Sequence, residues 1–496
     1  MNRIRVMLSL LGLAACAKSV SIAPRPSLGS GTNVALRAMI DSLADAPEFS
    51  NAHWGILIVD PERGDTLYSR NAGKLFMPAS NMKILTSATA LAQLGPDYKY
   101  RTVFAARGPI SNGTLNGDLL VIGRGDPSVS DHMLHDAMIP LRSIADSLAA
   151  RGIHHVAGRV VAAGNAFPSE VFGFGWTYDD FEDSYSAPID ELLFNEGFSE
   201  LHVHAGARAG DAVRVDVKPA RSFPIVRNQA TTIAAPTGDW RRGRGDGLRA
   251  HKDSTNWDVI LDGQIAAGDS AVIEVTHHDP DVAYVAAVRE ALRDKGITID
   301  ESASTDTTAR VDTVATLSSP PMSEILKALL KPSQNQIAEM LFRTVALEKY
   351  GAGRTDSARS IVGAQIASWG AAVPSEAVIR DGSGLSRYDY ISPRTVVRIL
   401  DAMRRSQYFT TYYDALPIAG IDGTIRNRMK GTPAQGNVHA KTGSVALARS
   451  LSGYVTTADH HMLIFSFLAN NWTVPVASIE HVQDAIAARL AGMQLR

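Results

Sequence analysis

The texture of the chain changes twice, and those changes constrain the fold more than any single residue does. From about 97 to 310 the sequence breaks into short alternating runs, "DLLVIG", "GRVVAAG", "LHVHAGA", "AVRVDVKP", "WDVILDG" and "AVIEVTHH", separated by Gly and Asp. Such runs predict β-strands joined by tight turns. One helix, "VAAVREALRDKG", lies near the end of the stretch, and the arginine-rich "DWRRGRGDGLRAHK" reads as a solvated loop. Before this region, "HWGILIVDPERGDTLYSR" predicts a hairpin: a strand from Trp54 to Val59, a turn over Pro61–Asp65 and a second strand from Thr66. A helix is expected from Ser80 to about Leu94, with Ile84, Leu85, Ala88, Leu91 and Ala92 on its buried face and Gly95-Pro96 as its stop. After about 320, helices return in "MSEILKALL", "NQIAEMLFRTVALEKYG" and "SARSIVGAQIASWG". Three strands, "HAKTGSV", "ARSLSGYVTT" and "HMLIFSFLAN", and a closing helix follow. The simplest assembly sets the hairpin beside the last three strands, with helices on the sheet and a helical subdomain alongside. The expected class is therefore α+β. Residues 36–96 and 315–496 form the main domain, and 97–314 form a β-rich insertion divided into two nested domains.

With 496 residues, the chain is too long for one ordinary domain. Its 45% hydrophobic and 20% charged residues match a globular protein, and a formal net charge of -2 gives no reason to expect a nucleic-acid partner. No internal run is apolar long enough to span a bilayer. The N-terminus reads as an export signal over 1–16: Arg3 and Arg5, an apolar run from Val6 to Leu13, then small residues. Cys16, the single cysteine, closes "LAAC", which resembles a bacterial lipobox. Lipidation of Cys16 is expected, with ordinary cleavage in the same small-residue stretch as the alternative. Residues 17–35, rich in Ser, Pro and Gly, read as a flexible tether. No cysteine remains after Cys16, so the mature chain has no disulfide.

Three short motifs carry chemistry. Ser80 and Lys83 form the only Ser-x-x-Lys. A serine hydroxyl needs a base to become a nucleophile, and residues three apart share a helix face. Burial would hold Lys83 partly neutral, as a base must be. A bland alternative makes Ser80 a helix cap and leaves Lys83 in solvent. Ser333-Gln334-Asn335 lies after Pro332 between two helical patterns, where a rigid turn would aim Ser333 and Asn335 the same way. Ser-x-Asn recurs at Ser69 and Ser254, in strand and charged-loop contexts, so Ser333 is preferred. Lys441-Thr442-Gly443, the only such tripeptide, opens a strand. A lysine and a threonine there offer a cation and a hydroxyl to a carboxylate, and Gly443 admits a close backbone.

In this order the motifs resemble the constellation of penicillin-binding proteins and serine β-lactamases. The separation of Ser80 and Ser333, roughly 250 residues, exceeds what a compact β-lactamase domain uses. The chain resembles the D-alanyl-D-alanine carboxypeptidase/endopeptidase family, the class C low-molecular-mass penicillin-binding proteins, which carry a large insertion between the first two motifs. "GRGDPS", "YSAPIDELLFNEG", "DGSGLSR" and "LPIAGIDGT" extend the likeness. Two departures are Gln334, where Asp is common, and His439 before the last motif.

The resemblance implies a penicillin-binding/serine β-lactamase-like fold and an acyl-enzyme on Ser80, with Lys83 as proton acceptor. It implies that Ser333 and Lys441 return the proton, that Asn335 holds the substrate amide, and that Lys441 and Thr442 bind its carboxylate. Gly443 and Ser444 would line the substrate strand, with the backbone N–H groups of Ser80 and Ser444 facing the oxyanion. Peptidoglycan stem peptides are the expected substrate and β-lactams the expected covalent inhibitors, without metal or organic cofactor. The implied location is periplasmic, with an outer-membrane lipid anchor in a Gram-negative host as the only membrane contact. Rival readings are a serine β-lactamase or esterase, a zinc hydrolase using pairs such as His202 and His204, and a wall-binding lipoprotein without activity. A class A β-lactamase loop is mimicked by "ELLFN", Glu191 to Asn195, but it precedes Ser333 instead of following it.

Overall fold

The computed structural model describes residues 31–235, 247–253, 255, 258–301, 308–371 and 375–495. The signal, Cys16, residues 17–30 of the tether, Ser254 and Asn256 lie outside them. Five strands build the main sheet: β1 (His53–Asp60), β2 (Asp65–Arg70), β3 (His439–Val445), β4 (Ala448–Thr456) and β5 (Met462–Asn470). Their order is β2-β1-β5-β4-β3, antiparallel throughout, so the first hairpin pairs with the last strand of the chain. Register sets Trp54 against Ala469 and Ile58 against Phe465. Side chains alternate across a strand. Ile56, Ile58, Phe465 and Phe467 accordingly join one core, and Leu57, Ile464 and Leu468 join the other.

Helices Gly31–Ala44 and Val476–Gly492 cover the first face through Leu36, Ile40, Ile479, Val482, Ile486 and Leu490. The opposite face carries Met82–Leu94 and Pro393–Arg404, continuous with helices Met322–Leu330, Asn335–Tyr350 and Thr355–Ser368. Gly31–Ala44 corrects the tether expected to run to 35, because residues 31–35 are helical. Leu36, Ile40 and Ala44, spaced four apart, give this helix an apolar stripe to bury.

The insertion enters on strand Arg101–Arg107 and leaves on strand Val311–Ser318, and these two pair antiparallel with Arg101 opposite Ser318. The expected boundary between 314 and 315 thus falls inside a strand, and the main domain resumes after Ser318. Two separate cores fill the insertion. One packs the sheet containing those strands against helices Met138–Ala150 and Pro280–Asp294. The other, around Leu201, Val203, Val259 and Leu261, lies within the strands from Phe198 to Thr276. Helix Met138–Ala150 interrupts what was read as continuous β-structure, burying Met138, Leu141, Ile144, Ala145 and Leu148 on one stripe. Leu248–Lys252, expected as the end of a loop, is a strand paired with Val259–Gly263. A third cluster docks the insertion on the main domain: Phe167, Trp176, Ile189 and Leu193 pack against Met340, Leu347 and Leu385.

Candidate active site

Ser80 sits in a single 3-10 turn, Ala79–Asn81, that leads into the helix Met82–Leu94. It caps nothing: its hydroxyl lies 2.8 Å from Lys83 Nζ, and Lys83 is fully buried rather than in solvent. Three groups surround that nitrogen, Ser80 Oγ, Asn335 Oδ1 at 2.5 Å and the Ser383 carbonyl at 2.9 Å. The last two can only accept. A neutral amine has two N–H bonds and one lone pair, so donating to those two leaves the lone pair for the Ser80 hydroxyl. Burial pushes the Lys83 amine down to about 7, against an upward pull from Asp381 and Glu339.

The edge strand β3 closes the opposite wall. Lys441 is also fully buried, and its Nζ donates to Ser333 Oγ at 2.7 Å and to the Thr442 carbonyl at 2.8 Å. Burial, and then the neighbouring Lys83 charge, hold it well below the usual lysine range. Asn81 Nδ2 donates 2.9 Å to the Lys441 carbonyl, tying strand to helix start. Gly443 is required by space: a Cβ there would stand 2.5 Å from the Pro78 carbonyl oxygen and 3.0 Å from Ser80 N. The strand therefore runs directly past the Ser80 amide. Thr442 Oγ1 faces Thr424 Oγ1 at 2.7 Å, and Ser444 lines the same cavity. Two residues near the reaction centre hold left-handed backbones, Ala79 at φ 48° and Ser333 at φ 72°. Each costs roughly 1–3 kcal/mol outside glycine and persists only where surrounding contacts hold it.

All eight residues expected at the reaction centre (Ser80, Lys83, Ser333, Asn335, Lys441, Thr442, Gly443 and Ser444) meet at one cavity of about 660 Å³ or at its wall. Sequence reasoning missed the groups that hold them. The Ser383 carbonyl facing Lys83 belongs to a loop pinned by two carboxylates. Asp381 accepts from the amides of Gly384 and Ser386, both at 2.7 Å, and from Trp176 Nε1 at 2.9 Å. Glu339 accepts from the amides of Gly382 and Ser383 at 2.9 and 2.8 Å. Burial and then Asp381 push the Glu339 carboxyl up to about 7. Gly384, at φ 82°, lets the loop lie on Ala79, whose carbonyl oxygen would be 1.9 Å from an added Cβ. Asp180, Tyr185, Leu385 and Arg387 line the cavity further out. The sequence signal for Asp381, Ser383, Leu385, Arg387 and Tyr185 is that "DGSGLSR" and "YSAPIDELLFNEG" belong to the family likeness, whereas Trp176, Asp180 and Glu339 carry none.

Glu191, the carboxylate of the class A mimic, accepts from Phe167 N at 3.2 Å and is not among the lining residues. His202 and His204 lie on a strand of the insertion beside Glu200 and Asp216. Among the described residues no three His, Cys, Asp or Glu side chains converge to hold a metal ion. His439 stacks on Tyr413 at 3.8 Å between ring centroids, and its Nδ1 lies 3.2 Å from the Tyr413 carbonyl oxygen.

Comparison with known proteins agrees with this geometry. The description of the D-Ala-D-Ala carboxypeptidase 3 (S13) family matches residues 36–493. The chain belongs to that family. It is a serine-type D-alanyl-D-alanine carboxypeptidase by that membership. It is 33% identical over 505 residues to the D-alanyl-D-alanine carboxypeptidase of Actinomadura sp. (strain R39), covering 96% of this chain and 90% of that one. It is 27% identical over 439 residues to D-alanyl-D-alanine carboxypeptidase DacB of Haemophilus influenzae, covering 86% and 87%. The crystal structure of penicillin binding protein 4 (dacB) from Haemophilus influenzae matches with a TM-score of 0.76 at 23% identity, covering 92% of this chain and 99% of that one. That likeness establishes the penicillin-binding α+β fold. The family has the same fold in a second structure, complexed with a β-lactam, at a TM-score of 0.72 and 24% identity, covering 92% and 99%.

Proposed function

We propose that this chain cleaves D-Ala–D-X bonds of peptidoglycan stem peptides through an acyl-enzyme on Ser80. The observation that carries the assignment is the buried Lys83 amine, held by two obligate acceptors with its remaining position on Ser80 Oγ. Ser80 Oγ attacks the carbonyl of the penultimate D-alanine while its proton passes to Lys83 Nζ. The oxyanion lies between the Ser80 and Ser444 amides, an arrangement supported by the run of Gly443 past Ser80 N. The C–N bond then breaks, and the leaving amine takes a proton from Ser333, which the Lys441 ammonium replaces across their hydrogen bond. Water attacks the ester and gives a proton to the now neutral Lys441 by way of Ser333, and the proton held on Lys83 returns to Ser80 Oγ as the ester bond breaks. Asn335 holds the substrate amide, and Lys441 with Thr442 receives the terminal carboxylate. An open cavity of about 660 Å³ admits more of the stem than a dipeptide end, which supports endopeptidase action on cross-linked stems beside carboxypeptidase action.

β-Lactams imitate the D-Ala-D-Ala end and would acylate the same hydroxyl, as the β-lactam complex of the Haemophilus influenzae relative supports. The substrate lies outside the cytoplasm, so the N-terminal run serves export. Cys16 would carry the lipid, anchoring the enzyme to the outer membrane on its tether. No helix among the described residues is long and apolar enough to cross a membrane. The test is labelling with a fluorescent penicillin, mapping the adduct by mass, and digestion of monomeric and cross-linked muropeptides. An adduct on any residue other than Ser80 would overturn the assignment. The mass of the mature N-terminus, in wild type and Cys16→Ser, tests the anchor separately.

A further inference from the structure

Gln334 and Asn335 of the second motif, and Gln336 after them, each donate an amide hydrogen bond to the insertion. Gln334 Nε2 reaches the Glu196 carboxylate at 2.6 Å, Asn335 Nδ2 the Tyr185 carbonyl at 2.8 Å, and Gln336 Nε2 the Ser184 carbonyl at 2.7 Å. All three acceptors lie between residues 184 and 196. The main domain thus delegates the support of this loop to a segment distant in sequence.

Glu196 is unusual among them. It is 5% exposed, and its two oxygens meet the Ser130 hydroxyl at 2.7 Å and Gln334. No cation pairs with it among the described residues. A buried carboxylate is costly unless its hydrogen bonds compensate, and here one of those bonds is spent on the motif. Its own turn is held firmly. Asn195, Glu196 and Gly197 are all left-handed, at φ 47°, 57° and 84°. Asn195 fixes that turn by donating to the Phe198 carbonyl and accepting from the Asp131 amide, both at 2.9 Å. Gln334 passes the constraint on: its Oε1 accepts from Gln336 N at 2.9 Å, so one amide bridges Glu196 and the helix start. The residue before it, Ser333, is the left-handed one whose hydroxyl meets Lys441.

The Tyr185 carbonyl has a matching effect on Asn335. With Nδ2 engaged there, Oδ1 must face Lys83, as it does. A flipped amide would turn N–H toward Lys83 and remove one of the two acceptors that direct the amine's lone pair to Ser80.

We propose that segment 184–196 of the insertion is a positioning element for the reaction. Glu196 sets Ser333 through Gln334, and the Tyr185 carbonyl sets the Asn335 amide against Lys83. This rests on the roles given above to Ser333 and Asn335. Glu196 itself touches no reacting atom.

A charge-swap series tests it. Gln334→Glu sets two carboxylates against each other. Glu196→Gln removes the charge but keeps the shape. The double variant restores a donor and an acceptor in reverse: Gln at 196 donates to Glu at 334 and still accepts from Ser130, and Glu at 334 still caps Gln336. The readouts are the acylation rate constant with a fluorescent penicillin per folded molecule, kcat and KM on a D-Ala-D-Ala peptide, and the thermal midpoint. Gln334→Glu is expected to acylate on the order of 10- to 100-fold more slowly, the scale of a misplaced catalytic group. Its loss should fall on kcat with KM little changed. The double variant should recover to within about threefold of wild type. Wild-type acylation by Gln334→Glu, no recovery in the double variant, or losses that only follow the thermal midpoint would each overturn the proposal. A wild-type adduct that maps away from Ser80 would instead refute the catalytic assignment, independently of this series.

Discussion

The two buried lysines of the site and the surface arginines of the nested strand region keep opposite company. In the strands from Phe198 to Thr276, Arg214 pairs with Asp216 and Arg227 with Asp258, with side chains 70% and 50% exposed, and the His202 ring lies beside Glu200. Lys83 and Lys441 are fully buried, and their amines meet hydroxyls, carbonyls and an amide oxygen instead of carboxylates. A carboxylate in contact would lock an ammonium in its charged form. Removing both water and the counter-ion holds both amines below the usual lysine range, Lys83 at about 7, so that each releases its proton more readily. The surface pairs need no such arrangement, since water already satisfies both partners and each pair contributes about 0–1 kcal/mol.

If the contrast is correct, substitutions in the buried group must act on chemistry. Ser80→Ala should abolish penicillin labelling and peptidase activity, a loss of at least about 10³-fold, with the thermal midpoint retained. A covalent penicilloyl adduct on Ser80→Ala would break the comparison at its centre. Lys83→Gln should cost on the order of 10²- to 10⁴-fold in acylation, the range of a lost general base.

The pH profile sharpens the same point. In the role proposed for it the reactive form of Lys83 is the neutral amine, and its value is lowered to about 7. Acylation should rise with pH, close to tenfold per unit below about 7, and level off above it. With an ordinary lysine value the rise would continue to about 10.5. The acylation rate constant measured between pH 5 and 9 distinguishes the two, and a profile still climbing at pH 9 would place Lys83 in a wetter site than this one.

Next in size are Lys441→Ala and Thr442→Ala. Each removes a proposed contact to the substrate carboxylate, worth about 10- to 100-fold for a charged hydrogen bond. Amidating that carboxylate should then cost these variants little further. Equal losses on amidation in wild type and variants would separate Lys441 and Thr442 from carboxylate binding.

What was legible from sequence follows the same division. In the main sheet β1 and β5 are legible as apolar runs, β2 follows from the turn at Pro61–Asp65 before it, and β3 and β4 are mixed runs leading into β5. Helix Gly31–Ala44 was not legible, because it follows directly on a Ser-, Pro- and Gly-rich stretch that masks its stripe. Met138–Ala150 was hidden among strand-like runs, with Pro140 in its first turn, a position where proline is compatible with a helix. At the site, Ser80, Lys83, Ser333, Asn335, Lys441 and Thr442 are legible because their hydroxyl, amine and amide groups stand in short motifs. The Ser383, Tyr185 and Pro78 carbonyls are not, since any residue supplies a carbonyl and only the fold says where it points. Glu196 and Asp381 have no sequence signal beyond the family likeness of their segments, and it is burial and their amide donors that mark them.

The smallest effect is expected on the far side of the comparison. His202 and Glu200 lie two apart on one strand, so they share a face, and His202 Nε2 meets the Glu200 carboxylate at 2.7 Å. Neither lines the 660 Å³ cavity. His202→Ala removes one such pair, and His204→Ala removes a longer one, 3.5 Å from Asp216. Each should change stability by less than about 0.5 kcal/mol and leave acylation and peptidase rates within twofold. Added chelator should change neither variant relative to wild type, because no metal takes part in the proposed chemistry. The decisive measurement is the acylation rate constant of the double variant His202→Ala/His204→Ala. A tenfold loss would mean that the strand region contributes to catalysis through these imidazoles, and the division between surface pairs and buried lysines would no longer separate structure from chemistry.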